Sequence, residues 1–181
     1  MNKKIILAGG CFWGVEAYFK RLKGVVSTRV GYTDGVTHNP TYQEVCTGQT
    51  EHVEACEVIY DADTISLKQL MNHLFQIIDP TSLNKQGGDV GTQYRTGIYY
   101  EDESEHQIIQ DFIKEIQVHY SKPIMVEVKK ETAFYDAEEY HQDYLTKNPM
   151  GYCHVNLYQI PQEDLKEEYQ LKKIESYYPK N

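Results

Sequence analysis

Two hydrophobic periods alternate along the first 131 residues in an order that leaves few folds open. Short apolar runs of strand character stand at 4–8 ("KIILA"), 25–33 ("VVSTRVGYT"), 53–61 ("VEACEVIYD"), 96–101 ("TGIYYE") and 124–130 ("IMVEVKK"). Between them lie segments whose apolar residues recur every three to four positions, the helical repeat. The first, 14–22, carries Val15, Tyr18, Phe19 and Leu22 on one face and is expected to end at Gly24. The second opens with Ser66 and Gln69 at capping-box spacing and aligns Leu67, Leu70, Met71, Leu74 and Ile78. The third, 104–120, repeats that spacing with Ser104 and Gln107 and turns Ile108, Ile109, Phe112, Ile113 and Ile116 inward.

Strand–helix–strand–strand–helix–strand is the order of a split βαβ unit. The expected fold is therefore α+β, a ferredoxin-like (α/β plait) two-layer sandwich with a mixed, mainly antiparallel sheet. From Thr132 onward one short helix is expected in "AEEYHQDYL" (137–145), which Pro149 must terminate, followed by polar sequence with little periodicity. The polar loop 79–95 is long enough to expect a functional role. With no repeat or linker, the chain reads as one domain, 1–181. Its core is about 3–131, and a long, largely irregular C-terminal extension covers about 132–181.

The net charge of −9, with no lysine or arginine cluster, argues against nucleic acid and anionic membranes as partners. The apolar run in "MNKKIILAGG" is too short for a secretory signal, and no window has the length of a membrane span, so a cytoplasmic location is expected. The four cysteines, Cys11, Cys46, Cys56 and Cys153, have no CxxC spacing, which argues against a structural zinc site. A full-sized core makes structural disulfides unnecessary. No metal or cofactor is expected.

Cys11 sits in "AGGCFWGVEAYF", where the first strand should become a helix. A small buried hydrophobe is one reading of it. The other is a nucleophile, because free amides and the dipole at a helix N-terminus favour a thiolate and lower its pKa. In the strand 53–61, alternation puts Glu54 with Cys56, Val58 and Tyr60 on one side and Glu57 with Val53, Ala55 and Ile59 on the other. Either glutamate is a candidate acid, and the pattern does not choose.

"GCFWGVE", "NPTYQEVCTG", "HVEACEVIYD", "GGDVGTQYRTGIYY" and "KNPMGYC", in that order, resemble the A-type methionine sulfoxide reductases over most of the chain. The resemblance implies reduction of methionine-S-sulfoxide, free or in oxidised proteins, with recycling by thioredoxin. It makes Cys11 the nucleophile and Glu54, rather than Glu57, the proton donor. Tyr42 and Tyr94 match phenols that bind the sulfoxide oxygen, Phe12 and Trp13 a pocket for the substrate methyl group, and Asp89 a polar group that orients the substrate. Cys153 matches the thiol that condenses with a sulfenic acid on Cys11, in a segment expected to be flexible. No cysteine follows Cys153, so a single Cys11–Cys153 disulfide is expected, on a monomeric enzyme. Cys46 and Cys56 are expected to be buried bystanders. His52 and His141 are expected at the surface, since no histidine stands in a partner motif for a cysteine hydrolase. A different thiol chemistry, such as peroxide reduction, and a non-enzymatic binding module are the competing readings.

Overall fold

A computed structural model describes residues 1–171. The elements are β1 (Asn2–Gly9), α1 (Phe12–Phe19), β2 (Val25–Thr33), α2 (Tyr42–Cys46), β3 (Val53–Asp61), α3 (Leu67–Ile77), β4 (Lys85–Gln86), β5 (Asp89–Val90), β6 (Thr96–Tyr100), α4 (Glu103–Gln117), β7 (Glu127–Lys130), β8 (Tyr135–Asp136) and α5 (Tyr144–Lys147). One sheet runs in the order β7-β6-β1-β3-β2-β8. β1 is antiparallel to β3 and β6, β2 is antiparallel to β3 and β8, and only β6 and β7 run parallel. The fold is thus mixed α+β with a mainly antiparallel sheet. No helix among the described residues is long and apolar enough to cross a membrane.

Strand alternation divides the core. Ile5, Leu7, Cys56, Val58 and Ile98 join residues of α1, α3 and α4 in one large cluster, while Ile6, Ala8, Val53, Ala55 and Tyr99 form a smaller one against Phe134. Glu54 and Glu57 therefore face opposite sides of β3. Glu57 is paired through both oxygens with Arg29, at 2.9 Å each. Glu54 has no such cation.

Several expectations need correction. α1 begins two residues earlier than expected and stops at Phe19. Gly24, at φ +92°, shapes the turn into β2 instead of ending the helix. The cause is tertiary: Leu22 bridges Leu165, the Lys23 amide donates to the Asp164 carbonyl, and the Lys166 amide donates to the Arg21 carbonyl, so this stretch pairs like a strand. The run 137–145 is not one helix. A 3-10 turn (Glu139–His141) and α5 are separated by Asp143 at φ +52°, whose amide donates to the buried Glu16 carboxylate at 2.7 Å. The strand expected at 124–130 is shorter and is followed by β8, which pairs with the outer edge of β2. The loop 79–95 contains the β4–β5 hairpin and a 3-10 turn at Thr92–Tyr94.

The cap of α4 is Asp102, not Ser104. Asp102 accepts the Ser104 amide at 2.9 Å, and Glu105 reaches back to the Asp102 amide at 3.1 Å, so the acidic pair two residues earlier takes the terminus. Ile108 is correspondingly 49% exposed, while Ile109 and Phe112 are buried. Asp102→Ala should cost about 1 kcal/mol and lower the melting temperature by about 3 °C, with Ser104→Ala moving it by less than half as much; thermal unfolding followed by circular dichroism checks both.

As far as the described residues reach, the extension packs on the core. Gln142 bonds the amide and carbonyl of Val30 at 2.9 and 2.8 Å, and Val155, Ile160 and Leu165 are buried in the main core. Residues 172–181 of the expected extension lie outside the described residues.

Candidate active site

β1 delivers the chain to Gly9 and Gly10. Gly10 has φ +88°, and a Cβ there would lie 2.8 Å from Cβ of Gln86, so only glycine makes this turn. Cys11 follows as the N-cap residue of α1 and is 8% exposed. The position is the expected one, but its electrostatics are not. Burial, and next the charge of Glu54, push the Cys11 thiol well above its ordinary range, against the smaller opposing effect of the Trp13 amide. The helix terminus is outweighed because the thiol is dry and a carboxyl group sits beside it. Burial thus favours the neutral thiol at Cys11.

Glu54 is 1% exposed. Its Oε1 accepts the backbone amide of Phe12, the first residue of α1, at 3.2 Å. Its Oε2 is buried with no hydrogen-bond partner among the described residues. Burial raises its pKa to about 8, with the Phe12 amide opposing. Since Oε1 is occupied as an acceptor, the proton belongs on Oε2, an unspent donor held in the dry. The structure thereby separates two carboxylates that sequence alternation left equivalent.

Tyr42, at the start of α2, and Tyr94, in the 3-10 turn before β6, are half-buried. Both phenols are held protonated by burial foremost, and both feel the charge of Glu54. Asp89, on β5, is felt by Cys11, Glu54 and Tyr94 and accepts the Tyr152 hydroxyl at 3.0 Å. Trp13 is half-buried, stacked on Tyr144 at 3.7 Å, with Nε1 donating to His141 Nδ1 at 2.9 Å. Phe12 is almost wholly buried, tilted against Tyr32 and His141. Cys153 is half-buried against the first turn of α1: a Cβ on Gly14 would stand 3.3 Å from its sulfur.

Residues the sequence did not flag complete the arrangement. His141, expected at the surface, is 1% exposed and supports Trp13; His52 is buried too, away from these groups, bonded to the Thr37 carbonyl at 2.7 Å. Glu138 accepts the Tyr32 hydroxyl at 3.0 Å and the Tyr42 amide at 3.2 Å, fixing the entry to α2. No local signal marks such supports, because their partners lie about a hundred residues away. Cys46 is exposed rather than buried, and Cys56 is buried as expected. A cavity of about 700 Å³ touches Cys153 but is not lined by Cys11, Glu54, Tyr42 or Tyr94. Among the described residues, no three histidine, cysteine or acidic side chains are grouped to hold a metal.

A dry thiol and a dry, unpartnered carboxyl oxygen in one buried region, with a second thiol nearby, suit redox chemistry at sulfur, and the class is a thiol-dependent oxidoreductase. The family described as peptide methionine sulfoxide reductase matches residues 3–173. This chain belongs to that family. It is similar to the peptide methionine sulfoxide reductase MsrA of Clostridium perfringens strain 13, 60% identical over 155 residues that cover 86% of this chain and 99% of that one. It is also similar to Mxr1 from Saccharomyces cerevisiae in reduced form, with TM-score 0.81 and 38% identity over 86% of this chain and 91% of that one. Mxr1 in complex with Trx2 matches with TM-score 0.58 and 28% identity over 79% and 84% of the two chains.

Proposed function

We propose that this protein reduces methionine-S-sulfoxide, free or in oxidised proteins, to methionine, and so repairs oxidised proteins. The observation that carries the reading is the buried, unpartnered Oε2 of Glu54, a carboxyl group whose pKa burial raises to about 8, in the buried site that also holds Cys11. A sulfoxide sulfur is electron-poor and open to sulfur nucleophiles, but its oxygen leaves only after protonation. In this reading Tyr42 and Tyr94 bind the oxygen, the methyl group lies against Phe12 and Trp13, and Asp89 orients the rest of the substrate. Three different walls meet three different substituents, so one sulfur configuration fits.

Glu54 gives its Oε2 proton to the oxygen and takes the Cys11 proton, so the thiolate forms only as it attacks. The Cys11 sulfur bonds to the sulfoxide sulfur, and the oxygen departs as water on a second proton from Glu54. Water then attacks the Cys11 sulfur and gives a proton back to Glu54, the S–S bond breaks, methionine leaves, and Cys11 becomes a sulfenic acid. The sulfoxide is reduced by two electrons and Cys11 is oxidised by two. Cys153 then condenses with the sulfenic acid, releasing water and leaving a Cys11–Cys153 disulfide. Thioredoxin reduces that disulfide; the similarity to Mxr1, solved with Trx2, supports this partner. Cys153→Ser should release about one methionine per protein with thioredoxin present and then stop. Many turnovers, counted by chromatography of the released methionine, would remove Cys153 as the resolving thiol.

The same reading takes the chain as one catalytic domain of a monomeric, cytoplasmic enzyme, with a core at about 3–131 and an extension at about 132–181. The finer fold description proposed is the split βαβ plait. It is supported by the order β6-β1-β3-β2 at the centre of the sheet, with α1 and α3 as the two crossovers.

A further inference from the structure

His154 follows Cys153 directly. Its Nε2 lies 2.9 Å from the Gly9 carbonyl oxygen. A carbonyl only accepts, so Nε2 carries a proton, and the neutral ring in this contact has its lone pair on Nδ1. Nδ1 is buried and has no hydrogen-bond partner among the described residues. It stands 3.2 Å from the point a Cβ on Gly14 would occupy, and the Cys153 sulfur stands 3.3 Å from the same point. Gly14 is one helical turn from Cys11, on the same side of α1. A basic lone pair with a fixed tautomer is thus neighbour to the resolving thiol, over the turn that carries the nucleophile. Meanwhile the Cys153 thiol hydrogen rests on the Val155 carbonyl at 3.2 Å, an oxygen too weakly basic to remove it.

We propose that His154 is the proton acceptor for the resolving step, a role that rests on the reductase reading above. Nδ1 takes the proton of the Cys153 thiol, and the thiolate attacks the Cys11 sulfenic sulfur. The S–S bond forms as the S–O bond breaks, and the departing oxygen takes the proton back from Nδ1 and leaves as water. Cys153 is oxidised, the sulfenic sulfur is reduced to the disulfide level, and His154 ends neutral. The Gly9 carbonyl holds the tautomer that makes this possible.

The test uses the whole reduced protein with N-acetylmethionine-S-sulfoxide, in single turnover without reductant. N-acetylmethionine release reports the first step, and mass spectrometry of alkylated samples reports the disulfide. His154→Gln keeps an N–H for Gly9 but has no basic nitrogen. The ratio of disulfide formation to N-acetylmethionine release should fall at least about tenfold, with a Cys11 sulfenic acid trapped by dimedone. In His154→Ala, added imidazole should restore disulfide formation. An unchanged ratio in both variants overturns the proposal, and so does a slowed step that imidazole does not recover, which would make His154 an anchor only. If the unsubstituted protein releases no N-acetylmethionine, it is the reductase reading that fails.

Discussion

Cys11→Ser should lower sulfoxide turnover by at least about a thousandfold, the scale on which removal of a covalent nucleophile acts. The substitution is nearly isosteric, and Cys11 makes no side-chain capping bond to α1, so the fold should survive and thermal unfolding should be close to unchanged. A hydroxyl has no route to a sulfenic acid or a disulfide, so no residual activity is expected from Cys46, Cys56 or Cys153. The measurement is single-turnover methionine release, with a melting curve on the same sample. Turnover within tenfold of the unsubstituted protein would place the chemistry on another sulfur.

Glu54→Gln should slow the first step by about a hundredfold to ten-thousandfold, the usual range for loss of a general acid. Gln still has an oxygen to accept the Phe12 amide, so the geometry at the start of α1 is kept while the transferable proton is lost. The pH profile separates this from a packing effect. The acid works only when protonated, and burial raises its pKa to about 8, so the first-step rate in the unsubstituted protein should be flat below that value and fall above it. In Glu54→Gln that descending limb should vanish. Stability should change in the window below that pKa. Between the ordinary carboxyl range and about pH 8 the folded protein binds a proton at Glu54 that the unfolded chain does not, so rising pH costs stability through this window. Glu54→Gln, which carries no such proton, should therefore gain stability relative to the unsubstituted protein as pH rises. Denaturant titrations at pH 5 and pH 8 read the difference, and equal gaps at both would mean that Glu54 is not a buried acid.

Local chemistry carried much of the fold into view. The strand at 53–61 and the Ser66–Gln69 capping box are read correctly from the sequence because alternation, helical repeat and side-chain caps act within a few residues. Where an expectation failed, a distant partner had intervened. Leu165 and Asp164 drew the end of α1 out of helical geometry, Glu16 pulled the Asp143 backbone into a left-handed turn, and Asp102 took a cap that Ser104 also had the spacing to provide. His141 looked like a surface residue because nothing near it in the chain reveals that Trp13 will donate to it.

By itself, then, the sequence determined the order of the elements and the identity of the motif residues, through interactions reaching no further than a turn of helix or a step along a strand. Only the tertiary structure decided which carboxyl group on β3 lies dry without a cation, and that burial pushes the pKa of the nearby Cys11 sulfur up instead of down. Both depend on exclusion of water and on charges brought near by folding. Glu57 meets Arg29 and Glu54 meets a helix terminus with no cation, a difference no local pattern encodes.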